Sequence, residues 1–253
     1  MQQIRFKGEV HLILSDGCKM ETKGVVVEAR HNTKLHVHSQ SEGTGQGKLE
    51  VYNDNFELNA ALGGTEANNM GSLYIHGGDI SVTEIRGYAA IGGGANEELK
   101  GGQIDPNSEI VVYGGKLTVN ATSCTAGIGG GYFKDQGGPV TIYGGTVDVT
   151  GGRSGAGIGG GIGGKGGTVN IYGGKLTARG RSGDSHSGAA IGGGQGAGGG
   201  DVHVYGGEVY AYGGNSSSGK GGAYNTHGGH QAEQFAESGS YRSRHLSGRA
   251  FVL

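Results

Sequence analysis

Two short glycine motifs recur along the chain at matching intervals. In the first, an aromatic residue precedes two glycines, at positions 76, 113, 143, 172 and 205, which lie 37, 30, 29 and 33 residues apart. In the second, Ile-Gly-Gly-Gly begins at positions 91, 128, 158 and 191, which lie 37, 30 and 33 residues apart. The chain therefore repeats a unit of about 30 residues. Such a unit cannot bury a core alone, so the units must stack on one another.

Apolar and polar residues alternate within each unit, which is the pattern of a β-strand with one buried face. In one unit the predicted buried pairs are Val140 and Ile142 before the Gly-Gly corner, and Val147 and Val149 after it. A third strand buries an alanine and the isoleucine of the second motif. We therefore predict an all-β, single-stranded parallel β-helix, or β-solenoid. We expect it to be right-handed, with three short strands per coil and six or seven coils.

The composition fits this fold and argues against others. Glycine supplies 61 of 253 residues but proline only 2, and the glycines lack a three-residue period, which excludes collagen. The net charge is −2 with no basic stripe, so nucleic acid is not a predicted partner. The longest apolar runs are far shorter than a membrane span, and the N-terminus shows no signal-peptide core.

The repeat divides the chain into three predicted regions. Residues 1–47 are interpreted as an N-terminal cap with the first irregular turns, and residues 48–229 as the β-helix repeats. Residues 230–253 lose the repeat, and either a C-terminal cap or a tail fits their composition. A cap would protect the last parallel edge from pairing with other chains.

Two segments carry a resemblance to a known class of repeats. Residues 166–178, Gly-Gly-Thr-Val-Asn-Ile-Tyr-Gly-Gly-Lys-Leu-Thr-Ala, and residues 187–194, Ser-Gly-Ala-Ala-Ile-Gly-Gly-Gly, are the clearest examples. They resemble the glycine-rich β-helix repeats of bacterial surface and secreted proteins that are often labelled carbohydrate-binding or adhesin-like. The resemblance implies an extracellular or cell-surface location, which this N-terminus does not itself indicate.

The residue before each Gly-Gly corner is predicted to face outward and to form a row that repeats with the coil. The predicted members of this row are Tyr52, His76, Tyr113, Tyr143, Tyr172 and Tyr205. Coils lie about 4.8 Å apart, close to the length of one sugar residue, so the rings are a candidate platform for a polysaccharide. The alternative is a structural stack that stabilises the sheet.

A second outward row is predicted on the third strand, where the side chains are small. Its members are Ala61, Ala90, Gly127, Gly157 and Ala190. A face of methyl groups and backbone would let another flat surface approach closely. The sequence thus offers this Ala/Gly face as a candidate for self-association.

Polysaccharide lyases and hydrolases also use parallel β-helices, which makes an enzyme the main rival function. That chemistry needs clustered carboxylates, whereas the acids on the second strand, such as Asp79, Asp148 and Glu208, are isolated in the pattern. We therefore predict no catalytic residues and no cofactor. The favoured function is a non-catalytic surface or secreted recognition or scaffold module, and a purely structural spacer or phage-fibre-like segment is the other alternative.

Histidines and carboxylates are also concentrated in the last coils. They are Asp184, His186, Asp201, His203, His227 and His230. The His227-Gly-Gly-His230 spacing is compatible with metal chelation, but solvated loop residues are the simpler interpretation, and no metal site is predicted.

Overall fold

The computed structural model describes residues 2–54, 59–94, 102–132, 135–181, 187–216, 219–220, 231–234 and 240–244. Within them, three strands per turn stack into three parallel sheets. The strands of the first three coils are β1 (Gln3–Phe6), β2 (Glu9–Leu14), β3 (Lys19–Thr22), β4 (Gly24–Val27), β5 (Lys34–Ser39), β6 (Lys48–Asn53), β7 (Leu62–Gly63), β8 (Ser72–Ile75) and β9 (Asp79–Glu84).

The same order continues through four more coils. Their strands are β10 (Ile91–Gly92), β11 (Ile110–Val112), β12 (Lys116–Ala121), β13 (Ile128–Gly129), β14 (Val140–Ile142), β15 (Thr146–Thr150), β16 (Ile158–Gly159), β17 (Thr168–Ile171), β18 (Lys175–Arg179), β19 (Ile191–Gly192), β20 (Asp201–Val204) and β21 (Glu208–Tyr212). A 3-10 helix, Ala29–His31, lies between β4 and β5.

Each coil gives one strand to each sheet. Sheet A is β1-β4-β7-β10-β13-β16-β19, sheet B is β2-β5-β8-β11-β14-β17-β20, and sheet C runs from β3 through β6, β9, β12, β15 and β18 to β21. The fold is a parallel β-helix with three strands per coil, as the repeat predicts. No helix among the described residues has the length and apolarity that crossing a membrane requires.

Like residues stack on like residues in the interior because equivalent strands pair in register. Ile110 pairs with Val140, Val140 with Val169 and Val169 with Val202 along sheet B. All four are at most 1% exposed. A fully buried branched side chain contributes about 1.5–3 kcal/mol, so these ladders are the main source of stability.

The corner between sheets B and C requires glycine for two reasons. Gly145 has a φ of +82°, which side-chain-bearing residues rarely adopt. A Cβ at this position would also lie 2.6 Å from the carbonyl oxygen of Gly115 in the coil before. The Gly-Gly motif thus marks a tight turn whose backbone touches the turn beneath it.

The predicted Ala/Gly face is not a surface. Ala61, Ala90 and Ala190 are at most 3% exposed and belong to the hydrophobic core, and a Cβ on Gly127 would meet the buried side chain of Val149. The prediction fails because the chain bends at each of these residues, just before the isoleucine or, after Ala61, before Leu62, so the strict alternation of an extended strand does not hold there. These residues cannot form a self-association surface.

The two ends of the chain differ in regularity. Residues 1–47 include the strands β1 to β5, which pair in parallel with the later coils. Beyond β21 lie β22 (Asn215–Ser216), β23 (Gly219–Lys220), β24 (Gln231–Gln234) and β25 (Ser240–Arg244). β25 pairs antiparallel with β21, and β24 with β25. The rest of the predicted cap or tail lies outside the described residues.

Candidate functional site on the outer face of sheet B

A continuous row of stacked rings, which we call the ring ladder, runs along the outer face of sheet B. Its members are His38, His76, Tyr113, Tyr143, Tyr172 and Tyr205. Successive ring centroids are 4.3 to 5.3 Å apart, and the planes differ by 4° to 14°. The ladder exists because residues at the end of in-register parallel strands repeat at the coil spacing.

The stacking determines which part of each ring a ligand can reach. Tyr143, for example, lies between Tyr113 and Tyr172, so other rings cover both of its faces. The edge of the Tyr143 ring nevertheless faces the solvent, and the residue is 49% exposed. A sugar cannot stack on the faces of such inner rings. Only their edges and hydroxyl groups face the solvent.

Five of the six predicted ladder residues lie in the ladder, and Tyr52 does not. Tyr52 is on β6 in sheet C, where it pairs with Thr83, and the Nζ of Lys23 lies 5.4 Å from its ring centroid. Its place in the second coil is taken by His38. The prediction is wrong at this position because neither Tyr52 nor His38 is followed by Gly-Gly. The motif that identifies the later ladder members is therefore missing in this coil.

A cluster of imidazoles adjoins the N-terminal end of the ladder, and we call it the histidine cluster. It comprises His11 on β2, His36 and His38 on β5, and His76 just after β8. His11 Nδ1 is 3.0 Å from His38 Nε2, and His36 Nδ1 is 3.1 Å from His76 Nε2. Sequence analysis missed this cluster. Its available signal was the spacing of His36 and His38, two residues apart on one strand face.

The surroundings of three of the clustered imidazoles disfavour the charged form of the ring. Burial lowers the pKa of His36, His38 and His76 below the ordinary value, and the neighbouring imidazoles lower it further. Glu9 partly opposes this at His36, because its Oε1 lies 3.6 Å from His36 Nε2. Neutral imidazole has one free lone pair, the form in which histidine binds metals.

The outer face of sheet C is polar, and its acids are paired with bases. Asp79 Oδ1 is 3.5 Å from Lys116 Nζ, and Asp148 contacts Arg179 on a neighbouring coil. One pair of acids is adjacent, since Glu21 and Glu50 lie opposite each other on β3 and β6. Lys19 Nζ bridges them, at 2.5 Å from Glu21 and 3.0 Å from Glu50.

A polar groove lies beside the 3-10 helix, where sequence analysis predicted no site. Arg30, Asn32, Lys34, Asn68 and Asp105 are among its lining residues. The groove is lined by polar side chains from three successive coils.

Behind this groove, the buried carboxylate of Glu28 holds the first coils together. It accepts hydrogen bonds from Arg5 Nη1 at 3.0 Å, Arg30 Nε at 3.1 Å and Thr65 Oγ1 at 2.7 Å. Burial acts to raise the pKa of Glu28, but the Thr65 hydrogen bond and the two arginine charges outweigh it and lower the pKa. The bonded carboxylate therefore has a structural role.

Two of the residues weighed from sequence as metal ligands lie in the coil farthest from the histidine cluster. Asp201 and His203 are on β20 in the last coil. Asp184, His186, His227 and His230 lie outside the described residues.

Comparison with known proteins supports the coil assignment. A family model described as a beta helix repeat matches residues 110–132, 140–164 and 169–195. These three coils are similar to beta-helix repeats. Each match spans one strand of sheet B, one of sheet C and one of sheet A, in that order. No curated protein and no solved structure shows significant similarity to the chain.

Proposed function

We propose that this protein is a non-catalytic scaffold and recognition module that binds an extended polysaccharide along the ring ladder. The observation that carries the proposal is a row of four phenol groups that repeats once per coil. They belong to Tyr113, Tyr143, Tyr172 and Tyr205, which are 45–52% exposed. Adjacent coils are about 4.8 Å apart, close to one sugar residue of an extended chain.

The contacts would be made by ring edges and hydroxyl groups. A phenol hydroxyl both donates and accepts hydrogen bonds, and so does a sugar hydroxyl. A straight row of such groups matches a straight polymer whose hydroxyl groups recur at the same interval. The ring stack keeps the row rigid, so little side-chain entropy is lost on binding. On the resemblance to surface and secreted repeats, we place this function outside the cell.

Two arrangements favour a binding role over a catalytic one. The acids of sheet C form ion pairs with lysine or arginine from neighbouring coils. Glu21 and Glu50, the adjacent pair, are both bridged by Lys19 on an open sheet face. Acid–base hydrolysis needs two carboxyl groups that are free to exchange protons with a substrate, whereas Glu21 and Glu50 both contact the ammonium group of Lys19.

The proposal can be tested with variants that change only the hydroxyl groups. We would measure binding of hydroxyethyl cellulose, xylan and alginate by calorimetry, to wild type and to Tyr143→Phe/Tyr172→Phe. Phenylalanine keeps the ring stack. The loss of two hydrogen bonds at about 0.5–1.5 kcal/mol each should weaken binding about 5- to 150-fold. Tyr52→Phe is the matched control, because it removes an exposed hydroxyl outside the ladder.

Two outcomes would refute the proposal. If folded wild type binds none of a broad glycan array, the spacer alternative is favoured. If the double phenylalanine variant binds as well as wild type, the ligand lies elsewhere, and the polar groove at Arg30 and Asn68 is the next surface to test. Release of reducing ends or unsaturated sugars by wild type, abolished in Glu21→Gln/Glu50→Gln, would favour the enzyme alternative.

A further inference from the structure

We propose that His11, His36 and His38 form a binding site for a transition-metal dication of the Zn²⁺ class, with His76 as a fourth available ligand. The site lies on the outer face of sheet B and spans the first three coils. This inference stands apart from polysaccharide binding, because it concerns imidazole nitrogens and not the phenol row.

The first argument is convergence of ligand atoms. His11, His36 and His38 each offer a ring nitrogen, and these three atoms lie within 4.8 Å of one another. They come from two parallel strands paired in register, His11 opposite His36 and Ile13 opposite His38. The strands themselves thus fix the spacing of the ligands.

The second argument is the distance between nitrogens. His11 Nδ1 and His38 Nε2 are 3.0 Å apart, and His36 Nδ1 and His76 Nε2 are 3.1 Å apart. Two nitrogens bound to one tetrahedral Zn²⁺ at about 2.0–2.1 Å are about 3.3 Å from each other. A movement of a few tenths of an ångström would therefore seat an ion between either pair.

The third argument concerns the protons. When two neutral imidazoles bond to each other, one nitrogen carries the shared proton. If His11 takes the tautomer with its proton on Nε2, both Nδ1 of His11 and Nε2 of His38 present lone pairs to an ion. Glu9 Oε1 lies 3.8 Å from His11 Nε2 and can accept that proton in a hydrogen bond after a small shift. Carboxylates commonly hold metal-binding histidines in this way.

The fourth argument separates a metal site from a simple ring stack. In the later coils, tyrosines stack at the ladder positions that His38 and His76 occupy in the early coils. A ring stack therefore does not need the ring nitrogens of histidine. In the cluster, the Nε2 of His36 is buried and makes no hydrogen bond within the described residues. Imidazole ligands select Zn²⁺, Cu²⁺, Ni²⁺ or Co²⁺ and not Ca²⁺ or Mg²⁺.

The test uses the full chain in a background that removes the two histidines of the His227-Gly-Gly-His230 motif, His227→Gln/His230→Gln. Zn²⁺ alone is titrated by calorimetry, and Co²⁺ by its visible absorption. We expect one ion per chain, no competition from Ca²⁺ or Mg²⁺, and a higher Tm that falls again with a chelator. Adding Glu9→Gln should weaken binding about 10- to 100-fold, as for an outer carboxylate.

Removal of a ligand should have a larger effect. His11→Gln and His38→Gln, each in that background, should weaken Zn²⁺ binding more than about 100-fold, beyond the outer-carboxylate effect. His11 is exposed on the first coil, so its replacement leaves the fold intact, which circular dichroism will verify. His203→Gln is the matched control, because His203 occupies the same outward row in the last coil. Absence of Zn²⁺ and Co²⁺ binding in the background protein, or equal binding after His11→Gln, would overturn the proposal.

Discussion

The ring ladder changes its chemistry part-way along the solenoid. In the second and third coils its rings are the imidazoles of His38 and His76, and in the next four coils they are phenols. The backbone position is equivalent throughout, and the ring spacing hardly changes. The stack therefore needs a flat ring at each position and leaves the choice of polar atoms free, so different coils present different polar atoms to the solvent.

The same two halves of the molecule also hold their coils together differently. In the first three coils, buried polar side chains form hydrogen bonds. Glu28 accepts one from Thr65 of the next coil, and Glu84 accepts one from the backbone N–H of Arg86 within its own loop. The later coils rely mainly on close contact between backbones, which also occurs in the early coils at positions such as Gly71. A Cβ on Gly159 would lie 1.9 Å from the carbonyl oxygen of Gly192 in the next coil. Side-chain networks tolerate irregular loops, whereas backbone contact demands glycine.

The largest expected effect comes from filling one of these backbone contacts. Gly159→Ala places a Cβ against the next coil at a φ of +137°, and should cost more than about 4 kcal/mol or prevent folding. Gly8→Ala is the control, since Gly8 has a φ of +70° with no atom near its Cβ position. It should cost about 1–2 kcal/mol. If urea unfolding shows the same loss of stability for Gly159→Ala and Gly8→Ala, the positive φ alone, and not contact between coils, requires glycine.

Breaking the phenol half of the ladder should have the next largest effect. Tyr143→Ala/Tyr172→Ala removes three ring pairs at about 0.5–1.5 kcal/mol each, so the free energy of unfolding should fall by about 1.5–4.5 kcal/mol. The corresponding double phenylalanine variant keeps the pairs and should melt near wild type. If both variants have the same Tm as wild type, the rings do not stabilise the sheet.

A side-chain network of the early coils can be tested through pH. Burial raises the pKa of Glu84 to about 8, against an ordinary value of 4.5. Between these values the folded chain holds a proton that the unfolded chain has lost, so stability falls as pH rises through this window. Glu84→Gln cannot titrate and still accepts the Arg86 N–H bond. At pH 8 it should stabilise the fold by on the order of 2 kcal/mol.

The contrast to measure is the pH dependence itself. Wild type should lose stability from about pH 5 to 8, and Glu84→Gln should lose less over the same range in chemical denaturation. Parallel curves for the two proteins would show that the carboxyl group of Glu84 is ionised in the fold and compensated by its hydrogen bonds.

The smallest expected effect comes from extending the ladder. Ile13 occupies the ladder position of the first coil, opposite His38, and is 65% exposed. Ile13→Tyr should add one ring pair and stabilise the protein by about 0.5–1.5 kcal/mol, seen as a small rise in Tm. Ile13→Thr keeps a branched side chain without a ring and should give no such rise.

The amino-acid pattern alone predicts the coil and most of the ladder. Alternation around Val140 and Ile142, and glycine at corners such as Gly145, are local requirements of strands and tight turns, so they can be read without knowing the partners. The remaining ladder members depend on how the strands pair between coils. Whether His38 or Tyr52 joins the ladder depends on which sheet each strand enters, and the irregular loops between the early motifs conceal that register.

The burial of the alanines and the assembly of the histidine cluster also depend on the tertiary structure. Ala90 is buried because the chain bends just before Ile91. The strand that follows has only two residues, which is too short for the sequence pattern to show that the alternation is broken. His11, His36 and His76 are 25 and 40 residues apart in the chain, and they meet only because three coils stack in register. The spacing of apolar residues and glycines within one repeat predicts the coil. Contacts between coils depend on the lengths of the loops, so they become visible only when the coils are stacked.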